Sequence, residues 1–247
     1  GTTGTQFVPF NTFQPSLDPE DAGNFVANWI QLTNLETASQ KGTLIFHAQD
    51  GSILGSPVQV DLAPGARQDF SGHQFGPNLV GIIEWLPDSS DAKFQLRNVR
   101  YFYDNPFGEN SFDTAFQLGG MVGIGQLITV PLDTNQASSI IEVANTTASR
   151  QNIAVNIYTA EGTPLPTIVV TLPAFGSVHL IADQILNGKN GIATIQGEFP
   201  EGVIAVGMQY GRTATAGLKY MYGIPARQAL GITLRSSYNT FLNQGCK

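Results

Sequence analysis

The chain of 247 residues has one cysteine, Cys246, so it can close no disulfide within itself and supplies no multi-cysteine metal site. Cys246 reads either as an incidental tail residue or as a bridge between subunits. Charge is scarce too: Asp, Glu, Lys and Arg make up 13% of residues, against roughly 25% in an average soluble protein. The 12 Lys and Arg are scattered against 19 Asp and Glu, for a net charge of −7. With no basic cluster, the footprint of a nucleic-acid or anionic-lipid binder is missing. Apolar runs such as TIVVTL (Thr167–Leu172) fall far short of the roughly 20 residues of a membrane helix, so no membrane span is expected.

Catalytic signatures are equally thin. The three histidines, His47, His73 and His179, form neither HExxH nor HxH and read as surface or turn residues, with His73 in FSGHQFG the one expected to face solvent or a ligand. There is no GxSxG elbow. The glycine-rich GGMVGIG (Gly119–Gly125) leads into a strand rather than a helix, which removes the helix N-terminus that a phosphate site uses; it reads as an inter-domain hinge. No enzyme and no cofactor are expected. Asp104, Asn105, Glu109, Asn110 and Asp113 put oxygen ligands in one stretch, but their spacing is not that of an EF-hand, and ordinary turn chemistry explains them. Asn145-Thr146-Thr147 is a glycosylation sequon, read as accidental.

What the chain does have is glycine (27), proline (14) and a pattern that occurs twice. TQFVPFNT opens the chain at Thr5, and QLITVPLDT begins again at Gln126. IQLTN ends at Asn34 and IEVAN at Asn145; sixteen residues beyond each comes an acidic-Gly turn, Asp50-Gly51 and Glu161-Gly162. VQVDLAPG then matches VVTLPAFG, GIIEW matches GIATI, FQLRNVRY ending at Tyr101 matches VIAVGMQY ending at Tyr210, and FDTAFQLGG matches LKYMYGIPA, at offsets of about 110. Such self-similarity is the mark of a repeated architecture.

Each copy holds about seven short alternating strands bounded by Gly, Pro, Asn and Asp. The expectation is an all-β chain of two tandem immunoglobulin-like antiparallel β-sandwich domains from an internal duplication. The first spans residues 1–124, the second 125–231, and 232–247 form a C-terminal strand and tail. Phe13–Gly23 reads as a surface loop, ADQILNG (Ala182–Gly188) as one helical turn, and Trp29, Trp85, Phe46 and Tyr158 as core residues.

The residues Asn34, Asp50-Gly51 and Leu62 to Gly65, repeated as Asn145, Glu161-Gly162 and Leu172 to Gly176, resemble the turn signature of tandem immunoglobulin-like β-sandwich repeats in bacterial secreted and cell-surface proteins. That resemblance implies an extracellular, scaffolding or adhesive setting and supplies no catalytic residue. The start at Gly1 without a leader reads as a mature form after signal-peptide removal.

The functional expectation is a structural subunit of an extracellular filament, layer or matrix that self-associates as a homopolymer. Its assembly residues would be Ile232, Leu234, Tyr238, Phe241, Leu242 and Cys246, a terminal strand that pairs either with its own second domain or with another chain. The alternative is a carbohydrate-binding or adhesin module pair whose polysaccharide ligand stacks on Tyr101, Phe102, Tyr103 and Phe107.

Overall fold

In this computed structural model residues 2–12, 25–103, 112–124, 128–135, 137–212 and 218–228 are described. The first half contains β1 (Thr2–Thr3), β2 (Gln6–Asn11), β3 (Phe25–Asn34), β4 (Gln40–Ala48), β5 (Val58–Leu62), β6 (Arg67–Ser71), β7 (Val80–Pro87), β8 (Lys93–Tyr103) and β9 (Phe112–Gly119). The second contains β10 (Ile128–Asp133), β11 (Ser138–Asn145), β12 (Gln151–Thr159), β13 (Ile168–Leu172), β14 (Ser177–Ile181), β15 (Asn190–Gly197), β16 (Val203–Arg212), β17 (Leu218–Pro225) and β18 (Arg227–Gln228). A single helical turn, α1 (Asp183–Leu186), falls within the predicted ADQILNG.

Period-two alternation builds these strands. In β8 the side chains of Phe94, Leu96, Asn98, Arg100 and Phe102 are buried and those between them are not, as expected of a strand with one face on a core. The Val-Pro motif has a place as well. Pro9 in β2 and Pro131 in β10 pair with Ile82 of β7 and Ile192 of β15. A residue without an N–H is tolerated there because the pairings on the second side of these strands, at Phe7 and at Ile128 and Thr129, stop short of the proline.

Among the described residues all strand pairs are antiparallel and form four sheets. In the first half β2-β7-β4-β5 faces β1-β8-β3-β6, with β9 added beside β8. In the second half the order β10-β15-β12-β13 repeats the first of these, and β14-β11-β16-β17 repeats β6-β3-β8-β9. The sandwich architecture is therefore present, but the immunoglobulin strand order is not. With β2 to β8 lettered A to G, an immunoglobulin domain would place A beside B and G beside F. Here A lies beside F and G beside B, which, with β1 against β8, is the two-sheet order of a jelly roll. Turn signals locate strands without saying which strands pair.

Two apolar clusters fill the sandwiches. One includes Phe10, Ile30, Phe46, Trp85, Phe94 and Leu96, the other Val130, Ile141, Ile153, Val155, Ile157 and Ile195. Phe46, Trp85 and Tyr158 are buried as expected, but Trp29 is 38% exposed. Asn28, Ile30 and Leu32 take the inward positions of β3, which turns Trp29 to the opposite face.

The hinge expectation also meets a different arrangement. Gly120 N–H donates to the Leu96 carbonyl, Met121 exchanges two backbone hydrogen bonds of 2.7 Å with Phe7, and Ile124 N–H donates to the Val203 carbonyl. Gly123 is buried. Residues 120–124 thus serve as an edge to both halves. The first apolar cluster also continues across the boundary through Val206, Met208, Tyr210 and Met221, and a third cluster of Phe7, Ile82, Ala144 and Ile204 straddles it.

Candidate functional site

The described residues that carry most of the buried chemistry meet at the junction of the two sandwiches. Arg100, inward on β8, and Glu142, outward on β11, form a bidentate pair: the two terminal guanidinium nitrogens donate to the two carboxylate oxygens at 2.9 and 3.1 Å. The same guanidinium donates to the Pro9 carbonyl at 3.0 Å and lies over the Phe116 ring. Asn11 Nδ2 adds a 3.3 Å bond to Glu142. Arg100 and Glu142 are 1% and 3% exposed. Burial by itself would raise the Glu142 carboxyl, but the charges of Arg100 and His179 and the hydrogen bonds from Arg100 and Asn11 hold it below the usual range. His179 Nε2 lies 3.7 Å from Glu142. Its pKa is nevertheless lowered, because desolvation, helped by the Arg100 charge, outweighs the carboxylate.

A second contact lies beside the first. His47 Nε2 is 2.9 Å from Glu84 Oε2, and the imidazole stacks on Phe175 of the second half at 4.6 Å. Gly51, at φ 82°, approaches so closely that a Cβ there would run into the Ala174 carbonyl oxygen. Between the halves a cleft of about 490 Å³ is lined by Phe7, Glu84, Gly123, Thr146, Phe175 and Glu201, among others. Of its polar groups, Glu84 is held by His47, and the Thr146 hydroxyl donates to the Glu201 carbonyl at 2.8 Å. The expectation of surface histidines therefore fails for His47, which is 3% exposed. His73 is half-buried, with Nδ1 3.1 Å from the Asn28 carbonyl and its ring edge-on to Trp29.

The proposed ligand aromatics do not share a face. Tyr101 and Tyr103 are half-buried on the outer side of β8, while Phe102 points inward and stacks on Phe116. Trp29 and Phe112 join the outer set, Phe112 lying 6.5 and 6.1 Å from the rings of Tyr101 and Tyr103. Phe107, the oxygen ligands Asp104, Asn105, Glu109 and Asn110, and the assembly residues Ile232, Leu234, Tyr238, Phe241, Leu242 and Cys246 lie outside the described residues. Among the described residues no cluster of three or more His, Cys, Asp or Glu has metal-site geometry, and no helix is long and apolar enough to cross a membrane.

Sequence reasoning passed over Arg100 and Glu142. A signal was present for Arg100, a charge where the alternation of FQLRNVRYF calls for an inward apolar residue, whereas Glu142 takes an outward position in SIIEVAN, where a charge is ordinary. A charge at a core position implies a partner from elsewhere in the fold.

No family model and no curated protein matches the chain. Among solved structures it is similar to an isomalto-dextranase of Arthrobacter globiformis, at 14% identity and a TM-score of 0.23 over 79% of this chain and 38% of that one. It is also similar to a Parabacteroides distasonis protein assigned as secreted, at 11% identity and 0.20 over 91% and 87%. A Bacteroides uniformis β-glucuronidase matches at 14% identity and 0.18 over 90% and 26%. The chain thus spans well under half the length of the two enzymes. At such TM-scores none of these likenesses carries an argument about function.

Proposed function

We propose that this protein is a non-catalytic structural subunit of an extracellular filament, layer or matrix, that its two sandwich modules arose by duplication, and that it self-associates. The observation that carries the reading is the junction. Modules joined by a linker move relative to one another by default unless their interface is large and apolar. Here a buried bidentate ion pair, two apolar clusters and a hydrogen-bonded linker join them. A joint built like a core keeps the orientation of its modules fixed, and repeat proteins that stack into extended assemblies need that of every joint. Low charge density with abundant glycine and proline suits an extracellular setting.

A second reading has its own observation, the outer aromatic face of Trp29, Tyr101, Tyr103 and Phe112, since flat exposed rings can stack on sugars. Size-exclusion chromatography with light scattering, negative-stain microscopy and affinity electrophoresis in polysaccharide gels separate the two. Concentration-dependent polymers are expected. Monomers retarded by a polysaccharide would overturn the structural reading in favour of a binding module.

A further inference from the structure

The two modules correspond residue for residue around the junction. Arg100 pairs with Phe116 across β8 and β9, and Gln209 with Tyr222 across β16 and β17. Arg100 donates to the Pro9 carbonyl and Gln209 to that of Pro131. Asn11 N–H donates to the Asn28 side chain, and Asp133 N–H to that of Ser139. Each module therefore has two comparable faces. One is the outer side of the sheet that contains β3 and β8, or β11 and β16. The other is the seat beside β2 and β9, or β10 and β17.

Within the chain the outer face of the second module, with Ile140, Glu142, Val206, Met208 and Tyr210, covers the seat of the first. The other two faces have no such cover among the described residues. On the first module Trp29, Gln31, Arg97, Val99 and Tyr101 take the corresponding outer positions, and Trp29 is 38% exposed. On the second module's seat Ile192 replaces Ile82, and its exposure rises from 0% to 39%. Tyr222 replaces Phe116 and is 43% exposed, stacked on Tyr220. Gly162 replaces Gly51 at nearly the same φ, 81°, yet a Cβ there would meet nothing within 4 Å.

We propose that the open seat of the second module receives the outer β3–β8 face of a second copy of this chain, so that the internal junction repeats head to tail between molecules. The inference rests on the self-association proposed above and names the faces that bring it about. The polar residues fit a second copy. At the internal junction Glu142 accepts from Arg100 and Asn11. At the intermolecular one Gln31 stands for Glu142, Gln209 for Arg100 and Asp133 for Asn11. The Gln31 amide can donate to Asp133 and accept from Gln209, and the charges the contact takes in, Arg97 on the face in the place of Val206 and Asp133 on the seat, are one of each sign. Had one member of the Arg–Glu pair been kept without the other, docking would bury a lone charge. The two faces differ and lie on different modules, so the contact is heterologous and propagates head to tail, as an open filament unless its rotation closes a ring.

The test is sedimentation velocity on the full chain over a concentration series, with Trp29→Glu on one face and Tyr222→Glu on the other. Both sites are exposed, and melting curves check that each variant folds. If Trp29→Glu loses stability through its contact with His73, Gln31→Glu, which sets a carboxylate against Asp133, replaces it; Ile192→Glu is the second seat variant. The wild type should grow past the dimer with concentration, and each variant alone should associate at least about tenfold more weakly. A one-to-one mixture should stop at dimers, since each partner keeps one good face. Assembly unchanged by both variants overturns these faces and leaves self-association standing. A monomeric wild type that assembles once the chain is ended at Gln228 shows residues 229–247 covering the seat, and overturns the second copy as its occupant. Monomers under every condition overturn both this inference and the structural reading. Polysaccharide retention lost in Trp29→Glu would then assign the outer face to a sugar.

Discussion

At the scale of single residues the junction depends on charges that have left water together. Removing one partner strands the other. Arg100→Leu should lower stability to urea by about 3–5 kcal/mol, the usual cost of an uncompensated buried charge, whereas Arg100→Met with Glu142→Leu should recover most of the loss. Equilibrium unfolding of the two variants checks this; equal losses would mean that packing rather than charge governs the site. The same cluster sets the acid response. His179 titrates below its ordinary 6.5, so folding favours the neutral ring, and stability falls as pH drops below about 6.5 toward the lowered value. Glu142, also lowered, contributes stability above its ordinary 4.5 that is lost as pH falls through its folded value. Melting temperature should therefore decline from pH 7.5 to 5, and His179→Gln should flatten that slope. An unchanged slope would remove His179 from the account.

At the scale of elements the twin asparagines are pins as well as strand ends. The buried Asn34 side chain donates to the carbonyls of Ala38, Leu62 and Ala63 and accepts from Glu36 N–H, tying the β3–β4 turn to the β5–β6 turn. Asn145 repeats this with Ser149, Pro173 and Thr147, at 2.8, 2.6 and 2.9 Å. An alanine at either position leaves several buried carbonyls without a donor. A loss of about 2–3 kcal/mol follows for Asn145→Ala, measurable by denaturant titration, and Asn145→Asp should do little better, because it lacks the amide donor. The sequon is closed for the same reason: Asn145 is 0% exposed and its Nδ2 is engaged. These pins were legible in the sequence as recurring asparagines at matched spacing. Their bonds were not, since the accepting carbonyls lie 28 and 29 residues away for Asn34.

At the scale of the molecule the joint decides how the halves behave. With residues 120–124 bonded to both sandwiches and the first apolar cluster continued across the boundary, the halves should melt in one transition by calorimetry. Protease should leave 120–124 intact while the native fold persists. Two resolved transitions, or early cleavage within that stretch, would mean that the modules fold and move independently. A Gly51→Ala variant, which drives a methyl group into the Ala174 carbonyl and strains a positive φ, should loosen the joint and bring the second transition into view.

The sequence by itself determined a repeated run of alternating strands, about seven in each half where the described residues hold nine, that the pattern occurs twice, and that Phe46, Trp85 and Tyr158 go inside. All of these follow from local rules: alternation, turn chemistry and the exclusion of apolar rings from water. The tertiary structure alone decided strand order, the outward face of Trp29, the pinned linker, and the meeting of Arg100 with Glu142 and of His47 with Phe175. Those depend on which edges pair and which faces pack. Residues far apart along the chain settle that together, through backbone hydrogen bonds that are alike for every sequence and buried charges that find partners only when the halves close.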